Sequence, residues 1–390
     1  MRGEGAASAS GAPASGRALE HVRVVKSLTV AIIGLGFGRA HIPAFQANGS
    51  RVVAVCQRDE ASARAIADRY GVDSVFTHWE AMLERVRPEV VVIATPPRLH
   101  HAIALRALAG GAHVLCEKPL ALTAAEARAM VDAAARAGRV AMTGFNWRFP
   151  VAMQRFNAMV REGALGRVFH VHARFLGSRF ADEAVAPTWR MDRAEAGHGA
   201  MGDMGVHLID LVRWNFGDFV RLVATAGIAY PSRDIPGGAR PADAEDFCAV
   251  VGELATGASV TLSVSRAAHG MSEHTIEACG TRGTLAYRLG REGPRWFDGE
   301  LRGASVASGL GVMPVTETAG PAAGDQLEVI GRTTIAALVA RFLEATERGL
   351  TPAPSFADGL GAQVVLDAVL ESLARRTWMD VAGPQPVRAH

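Results

Sequence analysis

Short apolar runs alternate with amphipathic stretches through the first third of the chain. The runs at 28–33, 51–56, 90–94 and 114–116 are rich in valine, isoleucine and leucine, which is typical of buried parallel strands. Amphipathic stretches end at Tyr70 and cover 99–109 and 123–137, and a further short strand is predicted at 140–143. This alternation predicts an α/β domain at 28–147, built on a doubly wound parallel sheet.

The pattern changes after residue 147. A helix is predicted at 151–162, and 167–175 alternates apolar and polar side chains as a half-buried strand does. Strands are predicted at 247–253, 259–265, 274–279 and 284–288 without helices between them, which favours a mostly antiparallel sheet. The Gly-, Pro- and Ala-rich segments 232–246 and 299–323 are predicted as loops. Residues 148–390 therefore form a predicted second, α+β domain.

Composition narrows the class of protein. The chain has 390 residues, 49% of them hydrophobic and 21% charged, which fits a globular protein of about two domains. A formal net charge of +2 gives no reason to expect nucleic acid or an anionic membrane as a partner, and we see no apolar run of the roughly 18 residues that a membrane span needs.

The N-terminal tail and the cysteines bear on where in the cell the protein is located. Residues 1–27 are rich in Ala, Gly and Ser and lack the apolar core of a secretion signal, so a disordered tail is predicted. Four cysteines lie far apart without a C-x-x-C pair, which favours free thiols over disulfides or a zinc site. A cytoplasmic location is expected.

Glycines crowd the turn after the first predicted strand. Gly34, Gly36 and Gly38, with Phe37 between them, lie where ligands bind in a doubly wound sheet, and glycine lets the backbone approach a pyrophosphate. The third glycine of G-x-G-x-x-G is replaced by Arg39, and Gly38 is expected to take over its packing role. We interpret the turn as a dinucleotide site of a Rossmann domain; the alternative is a purely structural glycine turn.

The end of the second predicted strand bears on the choice of cofactor. An acidic residue there favours NAD, because it accepts hydrogen bonds from both ribose hydroxyls. This chain has Gln57 followed by Arg58, and a guanidinium suits a 2′-phosphate. Asp59 argues for NAD if it turns inward. The cofactor is predicted to be NAD or NADP, with NADP favoured.

Two further stretches carry candidate chemistry. Lys118 follows a predicted strand and precedes Pro119, which fixes the backbone where the lysine leaves the sheet and permits a cis bond. Asp203 and His207 are four residues apart, so on a helix they share a face, and histidine can take up a proton near neutral pH. The alternatives are a surface lysine paired with Glu117, and a helix-capping Asp203 with a core histidine. The His170-x-His172 pair lacks a third ligand nearby, so no metal is predicted.

Taken together, these stretches resemble the Gfo/Idh/MocA family of oxidoreductases, which includes glucose–fructose oxidoreductase and inositol dehydrogenases. The resemblance rests on GLGFGRAH from Gly34, ATPPRLH from Ala94, CEKPLAL from Cys116 and GDMGVHLID from Gly202. It extends to EDFCAVV, ACGTRGTL and the helix ADGLGAQVVLDAVLESL, and so covers nearly the whole chain after the tail. The family's open sheet usually forms a subunit interface, which implies a homodimer or homotetramer.

The resemblance implies a set of site residues. The implied catalytic set is Lys118, Asp203 and His207. Cofactor contacts are expected from the glycine turn, from Gln57 and Arg58, and from Thr95, Pro96, His100, Glu117 and Lys118. Candidates to line the substrate pocket are Asn146, Trp147, Arg148, Trp189 and His198.

The implied reaction is hydride transfer between nicotinamide and a secondary alcohol of a sugar, cyclic polyol or related compound. His207 is expected to take the hydroxyl proton while Lys118 stabilises the developing alkoxide. Two alternatives stay open: a cofactor-binding regulatory protein without turnover, and a redox-neutral enzyme that recycles a bound NAD(P). The complete proton-transfer set argues against the regulatory alternative.

Overall fold

A computed structural model describes residues 27–235, 238–305, 307–315 and 325–381. The predicted tail therefore lies outside the described residues, apart from residue 27. The strands of the first sheet are β1 (Thr29–Ile33), β2 (Arg51–Cys56), β3 (Ser74–Phe76), β4 (Val90–Ile93), β5 (His113–Cys116) and β6 (Ala141–Thr143). The helices of this part are α1 (His41–Ala47), α2 (Glu60–Tyr70), α3 (Trp79–Val86), α4 (His100–Ala109) and α5 (Ala124–Ala137).

The six strands form one parallel sheet in the order β3-β2-β1-β4-β5-β6. Apolar strand residues are buried on both faces, as a sheet covered by helices requires. The strand order reverses between β1 and β4, and in such sheets ligands bind beyond the carboxyl ends of the strands at this point. The predicted Rossmann architecture is confirmed.

Local sequence signals set the helix ends. The Thr123 side chain accepts a hydrogen bond from the Glu126 amide at the start of α5, and Gly138 ends the helix in the left-handed conformation. Helix α2 is built the same way, with Asp59 as its N-cap and Gly71 after its last turn. Such caps satisfy backbone groups that the helix leaves unpaired.

The remaining strands are β7 (Val168–Gly177), β8 (Phe219–Gly227), β9 (Ser232–Ile235), β10 (Gly238–Pro241), β11 (Phe247–Leu254), β12 (Ser259–Ser265), β13 (Ser272–Gly280), β14 (Gly283–Gly290), β15 (Glu300–Ser305), β16 (Ser308–Met313) and β17 (Met379–Asp380). The remaining helices are α6 (Val151–Arg161), α7 (Arg193–Ala196), α8 (Val206–Phe216), α9 (Gln326–Ile330), α10 (Ala336–Arg348) and α11 (Phe356–Arg375).

Nine of these strands form a second sheet in the order β16-β15-β14-β13-β7-β12-β11-β8-β17. All neighbouring pairs are antiparallel except β7 and β12. Side chains of β11 alternate strictly between exposed and buried from Phe247 to Gly252. One face of the sheet therefore lies on the core and the other is open, as the sequence predicted.

Two predictions about loops were wrong. The segment 232–246 contains the hairpin β9–β10, and 299–323 contains the hairpin β15–β16, while residues 316–323 lie outside the described range. These strands are short, and the described side chains of β10 and β16 are almost all exposed. Without a buried face they carry no apolar alternation, which is the signal on which strand prediction depends.

The C-terminal helices return to the first domain. Phe342 of α10 meets Phe45 of α1 edge to face, with ring centroids 6.3 Å apart, and both rings are fully buried. The amide of Thr143 donates to the carbonyl oxygen of Pro354, so the segment before α11 pairs with the end of β6. Burying each phenylalanine stabilises the fold by about 1.5–3 kcal/mol. Helix α10 and the segment before α11 thus pack against the first domain, although they follow the second sheet in sequence.

Candidate active site

Lys118 lies at the carboxyl edge of the parallel sheet, two residues beyond the end of β5 and next to Glu117. The bond between Lys118 and Pro119 is cis, as the sequence allowed. The lysine side chain is 14% exposed and crosses to the second domain, where Nζ donates to the backbone carbonyl oxygen of Asp203 at 2.7 Å. Nζ also lies 3.6 Å from Asp203 Oδ1. The two domains therefore meet at these two residues.

Asp203 belongs to a single π-helical turn, Met201–Gly205, that leads directly into α8. Glycine makes this turn possible: a Cβ on Gly202 would lie 2.8 Å from His198 Cβ, and one on Gly205 would lie 2.6 Å from Met201 Sδ. The prediction of a regular helix onset is therefore corrected. Such π-turns widen the helix by one residue and frequently occur at functional sites.

The charges around Asp203 decide its protonation. Burial alone would raise the pKa of this carboxyl, but Lys118 and Arg190 outweigh burial and hold it well below its usual range. Arg190 Nε lies 3.6 Å from Asp203 Oδ1, the same oxygen that faces Lys118. Asp203 is therefore a carboxylate at neutral pH and serves as an acceptor, not as an acid.

His207 lies on the first turn of α8 and is 5% exposed. Burial first, and then the positive charge of Lys118, lower the pKa of its imidazole well below 6.5. Three aromatic rings, those of Phe145, Trp147 and Phe175, surround it at centroid distances of 6.2–6.4 Å. Its nitrogens form no hydrogen bond with any described residue, so a neutral imidazole is available to take a proton from a bound molecule.

Asp203 and His207 are close in sequence, but the structure does not pair them directly. Among the described contacts, the Asp203 carboxylate pairs with Lys118 and Arg190 and not with the imidazole. The carboxylate still acts on His207 through space, because its charge opposes the lowering of the histidine pKa. The structure brings Lys118, Asp203 and His207 together, with Lys118 as the link.

The glycine turn fits a dinucleotide. Gly34 has φ +88°, and a Cβ there would lie 2.5 Å from the carbonyl oxygen of Ala94, so only glycine suits the position. A Cβ on Gly36 would meet no atom within 4 Å, which leaves open space where a pyrophosphate approaches the backbone. Gly38 packs against Ala94 and Ile32 at 3.0–3.3 Å from its ideal Cβ. Gly38 thus performs the packing that the missing third glycine would perform.

Two of the predicted cofactor residues, His100 and Glu117, are buried and bind other protein groups. His100 is fully buried, and its ring nitrogens lie 2.9 Å from the carbonyl oxygens of Pro119 and Thr95. His100 therefore links the turn after β4 to the turn after β5. Because both of its ring nitrogens are occupied and the side chain is buried, the prediction that it contacts the cofactor directly is corrected. Glu117 is also buried, with Oε1 2.8 Å from His41 Nε2. Thr95 and Pro96 remain partly exposed at the end of β4, and Phe37 lies edge-on to His41.

At the end of β2, Asp59 serves as the N-cap of α2. Gln57 donates its amide to Ser62 Oγ at 3.1 Å, and Asp59 Oδ1 accepts from the Ser62 amide. Arg58 is exposed. In this structure the Asp59 carboxylate is therefore directed at the start of α2.

The predicted pocket residues other than Arg148 differ in their contacts and burial. Trp147 forms a wall beside His207, and Trp189 lies under the guanidinium of Arg190 at 4.3 Å. Asn146 is buried and donates to Thr334 Oγ1 at 3.0 Å. His198 is 2% exposed, with neither ring nitrogen hydrogen-bonded to a described residue.

Arg148 is a correction to the predicted pocket. Its guanidinium is 4% exposed and pairs with two carboxylates, Nε with Asp210 Oδ2 at 2.8 Å and Nη2 with Asp358 Oδ1 at 2.9 Å. Arg148 therefore joins α8 to α11, with Nε and Nη2 engaged by protein carboxylates.

Sequence reasoning missed three arginines. Arg190 pairs with Asp203, Arg291 lies against Trp147 and Phe175, and Arg179 follows β7. It also missed a compositional signal: the chain has 41 Lys and Arg residues, but lysine occurs only at positions 26 and 118. In a chain that uses arginine almost everywhere, a buried lysine at the edge of the sheet indicates a requirement for an ammonium group, which is compact and can shift its pKa.

A nucleotide-binding Rossmann domain whose lysine meets an acid–histidine pair from a second domain defines a class of nicotinamide-dependent oxidoreductases. Residues 28–145 match the oxidoreductase family with NAD-binding Rossmann fold, and residues 153–286 match the Gfo/Idh/MocA C-terminal domain. The chain belongs to the Gfo/Idh/MocA family of oxidoreductases.

Individual relatives span nearly the whole chain. Levoglucosan dehydrogenase of Pseudarthrobacter phenanthrenivorans is 31% identical, over 92% of this chain and 99% of its own. Inositol 2-dehydrogenase of Rhizobium meliloti is 28% identical, over 90% of this chain and 98% of its own. A solved structure of levoglucosan dehydrogenase in complex with NADH superposes with a TM-score of 0.83 at 30% identity, over 92% of this chain and 100% of the other.

Among the described residues, no group of three or more His, Cys, Asp or Glu side chains is arranged to hold a metal ion. None of the described helices is long and apolar enough to cross a membrane.

Proposed function

We propose that this protein is an NAD(P)-dependent dehydrogenase that interconverts a secondary alcohol and a ketone on a sugar, cyclic polyol or related compound. The observation that carries the proposal is the meeting of Lys118, from the edge of the nucleotide-binding sheet, with the Asp203–His207 segment of the second domain. The names of the relatives, levoglucosan and inositol dehydrogenases, support a polyhydroxylated substrate.

Each residue has a distinct proposed role. Neutral His207 takes the proton of the substrate hydroxyl, because its imidazole is hydrogen-bonded to none of the described residues and is uncharged at neutral pH. Lys118 donates a hydrogen bond to the same oxygen and stabilises the developing alkoxide. Asp203 holds the ammonium group in place and keeps it charged against burial, which lowers its pKa. Bound NAD(P) supplies the nicotinamide carbon that exchanges the hydride.

The test is a panel of sugars and polyols incubated with the purified protein and either NAD or NADP. A dehydrogenase accumulates reduced nicotinamide in proportion to oxidised product. Product without net reduction would instead indicate a redox-neutral enzyme that recycles its cofactor. Binding of cofactor without any product from the panel would support a regulatory protein.

The preference between the two cofactors follows from the end of β2. We infer that NADP is favoured, because Gln57 and Asp59 have other partners and Arg58 is an exposed cation at this edge. Arg58→Ala should lower kcat/KM with NADP more than with NAD. An equal loss with both cofactors, or none, would contradict the inference.

The open face of the nine-stranded sheet supports a homo-oligomer. Phe247 and Val251 point outward from β11, each 45% exposed. Exposed apolar side chains on an open sheet face are a feature of protein–protein interfaces. We propose a homodimer or homotetramer formed through this face, with the mass in solution measured by light scattering. The free thiols support a cytoplasmic location.

A further inference from the structure

Three guanidinium groups, those of Arg179, Arg190 and Arg291, lie beside the proposed catalytic set and are assigned no step of the proposed reaction. Arg190 belongs to the short 3₁₀ turn Trp189–Met191, with Nε 3.6 Å from Asp203 Oδ1. Arg291 follows β14, and its guanidinium carbon lies 5.7 Å from the Trp147 ring centroid and 5.9 Å from that of Phe175. Both rings also flank His207, so Arg291 stands at the wall of the same site.

The hydrogen-bonding capacity of these arginines is largely unused. The Nε atoms of Arg190 and Arg291 are buried and have no hydrogen-bond partner among the described residues. Arg291 makes one side-chain hydrogen bond, from Nη1 to Gln326 Oε1 at 3.1 Å. Arg179, two residues beyond β7, is exposed and pairs with none of the described carboxylates. Buried donors without acceptors are costly unless a ligand supplies the acceptor.

Two other buried arginines of the second domain are matched by acids. Arg266 pairs with Asp246 at 2.8 Å, and Arg148 with Asp210 and Asp358. At the site itself the four cations Lys118, Arg179, Arg190 and Arg291 outnumber the described carboxylates that act on them, those of Asp203 and Glu117.

The excess of positive charge grows when oxidised cofactor binds, because the oxidised nicotinamide ring is itself cationic. A neutral sugar bound here would displace water from these positive charges without compensating them, and such desolvation of unpaired charges is unfavourable. An anionic group on the substrate would offset the charge and would offer two oxygens to planar guanidinium groups.

We propose that Arg179, Arg190 and Arg291 form an oxyanion-binding subsite, so that the preferred substrate is a sugar or polyol carrying a carboxylate or phosphate group. The subsite lies on the second-domain side of Lys118 and His207, away from the glycine turn, and so it serves the substrate and not the cofactor phosphates. This assignment of substrate class rests on the proposed dehydrogenase function.

The experiment compares matched compounds: D-glucose, D-glucuronate and D-glucose 6-phosphate, and an inositol with its monophosphate. Binding to the protein–NAD(P)H complex is measured from the fluorescence of the bound reduced nicotinamide, and kcat/KM from the appearance of reduced cofactor with NAD(P). The variant is Arg291→Gln, and the matched control is Arg136→Gln, an exposed arginine in the last turn of α5.

We expect an acidic member of each series to bind at least about 10-fold more tightly than its neutral parent, since a charged hydrogen bond contributes one to two orders of magnitude in affinity. Arg291→Gln should bring this ratio close to one without changing the Kd of NAD(P)H, whereas Arg136→Gln should retain it. Preference for the carboxylate or for the phosphate would identify the anion.

Two results would overturn the subsite. One is a neutral compound that binds as tightly as its acidic counterparts. The other is a loss of NAD(P)H affinity in Arg291→Gln as large as the loss for the acid, since the guanidinium would then serve the cofactor. Efficient oxidation of neutral sugars alone would refute the subsite and leave the dehydrogenase function intact. Tight anion binding with no oxidation of any compound would refute the dehydrogenase and leave the subsite.

Discussion

Replacing Lys118 is the most direct test of the proposed chemistry. An ammonium group has three N–H donors. One is directed at the Asp203 carbonyl oxygen at 2.7 Å, and a second faces Asp203 Oδ1 at 3.6 Å. The third remains for an oxygen of the substrate. Lys118→Met removes all three donors and the charge while keeping the length of the apolar stem.

The size of the effect follows from the environment. The lysine side chain is 14% exposed, so its hydrogen bond to a developing alkoxide acts in a low dielectric. Losing one such donor lowers kcat by about 10²- to 10³-fold, or about 3–4 kcal/mol of transition-state stabilisation. Because the ammonium group faces the second domain, the Kd of NAD(P)H should change little.

A second signature appears in the pH profile. Oxidation requires neutral His207, so kcat/KM is retained above the pKa of His207 and falls as the pH drops through it. Burial and Lys118 hold that pKa well below 6.5. Without the lysine charge the pKa rises, and the acid limb of kcat/KM should move to higher pH in Lys118→Met.

Lys118→Arg is the matched control for charge. It restores a cation next to His207 and so should return the acid limb toward its wild-type position, but the larger guanidinium does not fit the same donor geometry and kcat should stay low. Turnover of Lys118→Met within a few-fold of wild type would refute the role of the lysine. An unchanged acid limb would refute its coupling to His207.

Three other predictions concern stability and cofactor binding. Arg148→Met leaves the carboxylate of Asp210 buried without its partner and should lower the free energy of unfolding by about 3–5 kcal/mol, measured with urea; a loss under about 1 kcal/mol would contradict the buried-pair argument. Burial lowers the pKa of His274 to about 3. As the pH falls below about 6.5, the unfolded chain takes up a proton at this histidine and the folded protein does not, so the free energy of unfolding falls by about 1.4 kcal/mol per pH unit. His274→Gln removes this group, and its free energy of unfolding should fall less steeply with decreasing pH than that of wild type. Gly34→Ala should lower the Tm because its Cβ has no room, whereas Gly36→Ala should keep the Tm and weaken NAD(P)H binding, since its Cβ occupies open space; equal effects of the two variants on Tm would refute this distinction.

The first domain was predictable because its signals are local. Each buried strand carries a run of valine, isoleucine or leucine, and the glycine turn and the Lys118–Pro119 pair follow directly on strand ends. The ends of helix α5 are marked in the sequence by Thr123 and Gly138. The hairpins β9–β10 and β15–β16 escaped prediction because exposed strands have no apolar face.

The site was predictable only where residues are close in sequence. Asp203 and His207 are four apart and stand out together, but the partners of Arg148 lie 62 and 210 residues away in sequence. No spacing rule distinguishes an arginine that pairs with Asp210 from one that faces a ligand. The same limit applies to Arg179 and Arg291, which approach Asp203 only once the second sheet has formed.

The return of the C-terminal helices has a consequence for how such enzymes can be recombined. Because Phe342 packs on Phe45 and Pro354 pairs with Thr143, the substrate lobe is topologically an insertion within the nucleotide-binding lobe. A chimaera made by joining residues 28–147 to a foreign C-terminal half would replace part of its own nucleotide lobe. A transplant intended to change substrate should instead exchange the stretch between α6 and α9 and leave α10 and α11 with their native partner.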